Sequence, residues 1–138
     1  MASRLNPYLT FNGNARAAME AYQRIFGGDL TLSTFGEFGA PDPTIADQIM
    51  HGQLETDADY TLMGADNPPG SEFSPGNTIA ISLSGDDAAQ LHRYWDALIE
   101  EGTVTVPLEK QMWGDEFGMC VDRFGLSWMV NIAGTPPA

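Results

Sequence analysis

The sequence predicts an α+β fold built from two βαβββ modules, and three observations support this prediction. PYLTFNGNARAAMEAYQRIF at residues 7–26 and TIAISLSGDDAAQLHRYWDAL at residues 78–98 share one order: apolar strand, glycine step, helix. Both helices place their apolar residues on one face and end near glycine. Each helix is followed by three segments with the residue pattern of strands. The same order of elements, repeated in two parts of the chain, indicates a duplicated module.

The first module begins with a predicted strand at residues 7–11. Asn14 is the predicted N-cap of the helix, because asparagine side chains accept hydrogen bonds from the free N–H groups of the first turn. Gly27 and Gly28 are expected to end the helix. Further strands are predicted at 30–35, 49–56 and 60–63. The helix face expected to be buried consists of Ala15, Ala18, Met19, Tyr22, Ile25 and Phe26.

The second module repeats this order, starting with a predicted strand at residues 79–83 and an N-cap at Asp86. Within that strand, Ile79, Ile81 and Leu83 are expected to pack beneath the helix. Gly102 is expected to stop the helix, and strands are predicted at 104–108, 117–121 and 126–131. The apolar helix face consists of Ala88, Leu91, Trp95, Leu98 and Ile99.

We expect one domain over residues 1–138, with module 1 at about 5–63 and module 2 at about 78–133. The segment GADNPPGSEFSPGN at 64–77 is rich in glycine and proline and is typical of a connector.

Composition excludes several classes of function. The net charge of −13 opposes binding to nucleic acid or to anionic lipid. No apolar run approaches the roughly 20 residues of a membrane-spanning helix, and the N-terminus lacks the apolar core of a signal peptide. A single cysteine cannot form an internal disulfide, which favours a reducing cytoplasm.

Four stretches carry a resemblance to a known family: PYLTFNGNARAAMEAYQRIFGG, ADQIMHGQLE, TLMGAD and GTVTVPLEKQMWGDEFGMCVDRFGLSWMVN. They resemble the PhnB-like group of the vicinal oxygen chelate superfamily, which includes glyoxalase I, extradiol dioxygenases and bleomycin-resistance proteins. The resemblance implies that the strands of the two modules curl around a shared cleft. It also implies a homodimer.

Metal-dependent members of this superfamily hold the ion with His, Glu or Gln on the first and last strands of each module. The positions that correspond here are Tyr8 or Thr10, Met63, Thr78 and Met129. Thioether and hydroxyl groups are poor ligands for Zn, Ni, Mn or Fe(II), which prefer imidazole and carboxylate. The resemblance therefore does not imply a metal, and we predict no cofactor.

His51, in the third strand, leaves two interpretations open. It is either a structural histidine at a sheet surface or dimer contact, or a ligand contact or general base in the cleft. Glu55 shares its face, but the two Cα atoms of such a pair are roughly 13 Å apart, too far for a direct hydrogen bond. His92 is expected at the solvent edge of the second helix, on the wrong side of the sheet to join His51 in an iron site.

Other candidates are also open to two interpretations. Trp113, in the loop WGDEFG, is either packed in a turn or part of a cleft wall that binds an apolar ligand. Met63 and Met129 either fill the core or line an apolar pocket. Cys120 has no neighbouring base to lower its pKa and is expected to be a buried, inert thiol.

Three functions follow as hypotheses. The first is a binding protein that takes a small, partly apolar molecule in a metal-free cleft. The residues expected to line that cleft are Tyr8, Thr10, Met63, Thr78, Trp113 and Met129. The second is a glyoxalase- or dioxygenase-type enzyme with a divalent metal on unconventional ligands near His51. The third is a cleft that serves as a dimer contact. Relatives are often described as demethylubiquinone methyltransferases, but no glycine-rich strand-to-helix loop for S-adenosylmethionine is present, so we set that description aside.

Overall fold

The computed structural model describes residues 3–39, 42–68 and 70–134. The chain divides into two compact units, Met1–Pro75 and Gly76–Ala138. The elements of the first unit are β1 (Tyr8–Phe11), α1 (Ala15–Phe26), β2 (Asp29–Thr34), a short 3-10 turn (Gly36–Phe38), β3 (Ile49–Glu55) and β4 (Thr61–Asp66). Those of the second are β5 (Ile81–Gly85), α2 (Ala88–Leu98), β6 (Thr103–Lys110), β7 (Glu116–Val121) and β8 (Ser127–Ile132).

Each unit contains one four-stranded mixed sheet. Sheet 1 has the order β1-β4-β3-β2 and sheet 2 has the order β5-β8-β7-β6. The first and last strands of each unit pair in parallel, and the other neighbours are antiparallel. The prediction of an α+β fold with two βαβββ modules is therefore confirmed. No helix among the described residues is long and apolar enough to cross a membrane.

One face of sheet 1 packs against α1. The strands alternate between buried and more exposed residues, so Leu9, Phe11, Leu54 and Leu62 point toward the helix. The helix residues that are buried are Ala15, Ala18, Met19, Ala21, Tyr22 and Phe26. This set matches the predicted stripe except that Ala21 is added and Ile25 is only half-buried. The residues that alternate with these lie on the opposite face of sheet 1, away from α1.

The predicted cap of α1 is wrong in its chemistry. Asn14 occupies the N-cap position, but its side chain makes no capping hydrogen bond. The first N–H of the helix, at Ala15, instead donates to Oδ1 of Asp66 over 2.9 Å. Because β4 lies beside β1, the end of β4 reaches the start of the helix and supplies the acceptor.

The predicted cap of α2 is displaced by one residue. Asp87 is the N-cap, and its side chain accepts from the N–H of Gln90 over 3.1 Å. An N-cap side chain reaches the third helical residue, and from Asp87 that residue is Gln90. Ala88 is exposed and Ile99 half-buried, whereas Tyr94 joins the buried face of the helix.

The start of the second module was predicted two residues too early. β5 begins at Ile81, where its pairing with Trp128 of β8 starts. Ile79 is 81% exposed, so the prediction that it packs beneath the helix is wrong. Thr78 lies outside the strand for the same reason. In the first module, β4 continues to Asp66, beyond the predicted end at residue 63.

Candidate functional site

The face of sheet 1 opposite α1 carries most of the first-module residues singled out in the sequence. Tyr8 pairs with Met63 across the parallel strands, and Thr10 pairs with Ala65. Met63 also lies opposite Gln53 of β3. We call this surface the open face of sheet 1. Its central residues are Tyr8, Thr10, His51, Gln53, Glu55, Thr61, Met63 and Ala65.

A chain of hydrogen bonds runs across this face. The Tyr8 hydroxyl lies 3.0 Å from Nδ1 of His51, with the two rings 5.7 Å apart. Nε2 of His51 lies 3.5 Å from Oε1 of Gln53. Nε2 of Gln53 then donates to Oε1 of Glu55 over 2.6 Å. His51 and Glu55, which were predicted to be too far apart for direct contact, are thus joined through the side chain between them.

At the end of this series of hydrogen bonds, the carboxylate of Glu55 accepts from several donors. Arg4 donates to Oε1 over 2.7 Å and the hydroxyl of Thr61 donates to Oε2 over 2.7 Å. The hydrogen bonds from Thr61, Arg4 and Gln53 together lower the pKa of Glu55 from its usual 4.5 to about 2. The carboxylate is therefore ionised throughout the neutral range and acts only as an acceptor.

Glu55 should make the stability of the protein depend on pH. Its folded-state pKa is depressed, so its contribution is fully present above pH 4.5 and is lost as the pH falls toward 2. We expect Glu55→Gln to lower the free energy of unfolding at pH 7, and the difference from wild type to shrink between pH 4.5 and 2. Urea unfolding at several pH values measures this difference.

Glu20→Gln is the matched control, because Glu20 is an exposed carboxylate on α1. The same measurements on this variant should show no comparable change with pH. If the deficit of Glu55→Gln stayed constant from pH 7 to 2.5, ionisation of Glu55 would not be its source.

Tyr8 lies at the end of this series of hydrogen bonds that is opposite Glu55. The residue is 53% exposed, and partial burial raises the pKa of its phenol. Tyr8 therefore keeps its proton near neutrality. Gln53 was missed in the sequence, although the alternation that pairs His51 with Glu55 also places Gln53 on that face. Arg4 precedes the first strand, and no sequence pattern identified it.

The second unit presents a different open face, opposite α2. Met129 lies between Ser82 and Met119, and Asn131 lies between Ser84 and Phe117. Of the predicted binding residues, Met129 is therefore on this face, whereas Tyr8, Thr10 and Met63 share the face of sheet 1. That the two open faces line one cleft stays a prediction.

The loop between β6 and β7 is a turn anchored to β8. Trp113 is 59% exposed and meets the edge of Phe117, with ring centres 6.3 Å apart. Asp115 accepts from the N–H of Gly134 over 2.8 Å and from Nδ2 of Asn131 over 3.0 Å. These two bonds lower the pKa of Asp115. Its carboxylate is thus engaged in holding the loop, and the binding role of Trp113 stays a prediction.

The side chains on the open face of sheet 1 do not form a ready set of metal ligands in the described part of the chain. Among the described residues, no group of three or more His, Cys, Asp or Glu is arranged to hold one. Both ring nitrogens of His51 and both oxygens of Glu55 already have protein partners. His92 is on α2 and lies 3.3 Å from Glu116. An ion bound at His51 and Glu55 would have to displace these contacts.

Cys120 is a buried thiol. The residue is 1% exposed, and burial together with the charge of Asp122 raises the pKa of its thiol to about 11. A thiol with a raised pKa stays protonated near neutrality, which disfavours nucleophilic attack and metal binding. The sequence-based expectation that Cys120 is buried is confirmed, and its lack of reactivity stays a prediction.

Two βαβββ units with mixed four-stranded sheets define the fold class of the glyoxalase, bleomycin-resistance and dioxygenase proteins. A domain of that description from Frankia sp. EAN1pec superposes with a TM-score of 0.66 at 11% identity, covering 96% of this chain and 98% of that one. The chain belongs to the PhnB-like family, whose family model, described as 3-demethylubiquinone-9 3-methyltransferase, matches residues 3–131.

Two solved structures are similar over nearly the whole chain. The crystal structure of protein PA1353 from Pseudomonas aeruginosa is 38% identical, with a TM-score of 0.87, and covers 96% of this chain and 98% of that one. A Bacillus cereus PhnB protein, described as a putative 3-demethylubiquinone-9 3-methyltransferase, is 19% identical with a TM-score of 0.75. That alignment covers 95% of this chain and 100% of the other.

Proposed function

We propose that this protein binds a small, partly apolar molecule on the open face of sheet 1 without using a metal. The observation that carries the proposal is the chain of hydrogen bonds from Tyr8 through His51 and Gln53 to Glu55. Such a chain holds its side chains in one arrangement, and Met63 beside Tyr8 adds an adaptable apolar surface. Apolar contact with a few ordered polar groups is what small-molecule sites provide.

The metal-dependent alternative receives less support from the same residues. Lewis-acid chemistry of the glyoxalase or dioxygenase type needs three or more strong ligands around an open position. The open face of sheet 1 offers one imidazole and one carboxylate, and both are engaged with other side chains. In our proposal His51 therefore belongs to the binding site of the small molecule and does not bind a metal ion.

The methyltransferase description of the family does not extend to this protein in our proposal. The loop between β1 and α1 is Asn12-Gly13-Asn14, with a single glycine, and Gly27 and Gly28 follow the end of α1. A nucleotide-type cofactor is usually held by a glycine-rich loop that opens a helix. We also propose that the protein is a homodimer, as the family resemblance implies, and that it acts in the cytoplasm, which its single cysteine favours.

Metal analysis separates binding from metal-dependent catalysis. Protein purified without a tag should contain only substoichiometric Zn, Ni, Mn or Fe, and adding these ions should not raise its melting temperature. His51→Ala should leave both results unchanged. One tightly held ion per chain, lost in His51→Ala, would overturn the metal-free proposal.

A thermal-shift screen against small aromatic metabolites and antibiotics tests binding itself. A ligand that binds only the folded state raises the melting temperature in proportion to the logarithm of its excess over Kd. We expect at least one such ligand, and we expect Tyr8→Phe to reduce its shift more than Tyr60→Phe does. Tyr60 lies immediately before β4, where it meets the ring of Phe26, and serves as the control.

A further inference from the structure

The hydrogen bonds on the open face of sheet 1 have one direction, and this direction specifies the ligand further. Resting on the proposed function, we infer that the site takes an uncharged molecule with an apolar body that donates an O–H or N–H hydrogen bond to the Tyr8 hydroxyl oxygen. Ligands that can only accept, and anions such as carboxylates, are disfavoured.

The direction is set at Glu55, which lies at the opposite end of these hydrogen bonds from Tyr8. Its carboxylate accepts from Arg4 and Thr61 and can only be an acceptor. Gln53 must therefore turn its amide N–H toward Glu55, because the reversed amide would place two acceptor oxygens 2.6 Å apart. The carbonyl oxygen of Gln53 then faces His51.

The orientation of the Gln53 amide fixes the tautomer of His51. Oε1 of Gln53 lies 3.5 Å from Nε2 of the ring, and a carbonyl oxygen can only accept. The neutral ring therefore carries its proton on Nε2 and keeps its lone pair on Nδ1. The hydroxyl of Tyr8, 3.0 Å from Nδ1, is then the donor of that bond.

Tyr8 consequently offers a hydrogen-bond acceptor to a bound molecule. Its only proton is directed at His51, so the remaining lone pairs of its oxygen are what Tyr8 can offer a ligand. Each bond in such a chain polarises the next, which makes this oxygen a stronger acceptor. A bound molecule must donate to it, because an ether, ketone or carboxylate would set two acceptors against each other.

The surroundings of Tyr8 define the rest of the molecule. Met63 pairs with Tyr8 and is half-buried, and Thr10 and Ala65 form the next pair along the two strands. Small and thioether side chains favour an apolar body. The net charge of −13 opposes the approach of an anion. Arg4 lies beside this face, but its guanidinium is already paired with Glu55 over 2.7 Å.

Three probes of similar shape test this inference: phenol, which donates; anisole, its methyl ether, which only accepts; and benzoate, an anion. NMR titration gives a Kd for each. We expect phenol to bind about tenfold more tightly than anisole, the difference that one hydrogen bond to an unsatisfied partner provides. Benzoate should bind more weakly than either.

His51→Leu is the decisive variant, because it frees the proton of Tyr8 without removing Tyr8. The preference for phenol over anisole should disappear in His51→Leu and persist in His92→Leu, which replaces the other histidine of the chain. Unfolding curves of both variants establish that they are folded. Equal or tighter binding of anisole or benzoate to wild type would overturn the inference and leave the proposed function standing. If none of the three bound, the proposed function would fail and the inference with it.

The tautomer of His51 provides a test that needs no ligand. Long-range ¹H–¹⁵N spectra of the two imidazole rings at pH 8 distinguish a proton on Nε2 from one on Nδ1. We expect the Nε2–H pattern for His51, assigned by its loss in His51→Leu. An Nδ1–H pattern would reverse the direction of the chain and overturn the inference.

Discussion

Gly28→Ala should lower the free energy of unfolding by more than about 3 kcal/mol, because two separate penalties add. The backbone of Gly28 has φ of +101°, a region that side chains rarely adopt. An added Cβ would also overlap the carbonyl oxygen of Glu55 and lie 2.6 Å from Cα of Thr56. Both are backbone atoms and cannot rotate away. Urea or thermal unfolding followed by circular dichroism measures the loss.

Gly125→Ala is the matched control, because it carries only one of the two penalties. Its φ is +91°, but an added Cβ there would have no atom within 4 Å. We expect a loss of about 1–2 kcal/mol from backbone strain alone. If Gly28→Ala cost no more than Gly125→Ala, the connection between α1 and β2 would have room to move away from β3. Gly28 would then not fix the end of β3, where Glu55 anchors the hydrogen bonds of the site.

The elements of this fold could be predicted because the signals that define them are local. An apolar stripe of helical period and alternating strand residues lie within one short segment and do not depend on the rest of the chain. The errors arose where distant residues decide the outcome. The acceptor for the start of α1 is Asp66, which is 51 positions from Ala15. The start of β5 is set by its pairing with β8, which the segment around Ile79 does not reveal.

The candidate site was predictable to the same extent. The family resemblance predicted Tyr8, Thr10 and Met63 as neighbours in a cleft, and the structure places all three on the face of sheet 1 away from the helix. The resemblance did not indicate that Gln53 would link His51 to Glu55, since that link depends on side-chain rotamers and on amide orientation. Nor could it place Arg4, whose position follows from the path of the chain before β1. The direction of the hydrogen bonds, and with it the expected ligand, required all of these contacts.

Asp66→Ala should lower the free energy of unfolding by about 2–6 kcal/mol, since it leaves two buried donors without a partner and each costs about 1–3 kcal/mol. Oδ1 of Asp66 accepts from the N–H of Ala15 and Oδ2 accepts from that of Ile49, over 2.9 and 2.8 Å. All three residues are buried, so water cannot readily replace the carboxylate. Hydrogen exchange should also increase at both amides, which lie at the starts of α1 and β3.

Two comparison variants separate the lost hydrogen bonds from the lost charge. Asp66→Asn keeps one acceptor oxygen, so its loss should lie between those of wild type and Asp66→Ala. Glu20→Ala removes an exposed carboxylate from α1 and should change stability by no more than about 0.5 kcal/mol. If Asp66→Ala cost no more than Glu20→Ala, the amides of Ala15 and Ile49 would have found other acceptors. The end of β4 would then not hold the start of β3, and the position of His51, two residues beyond Ile49, would depend on sheet pairing alone.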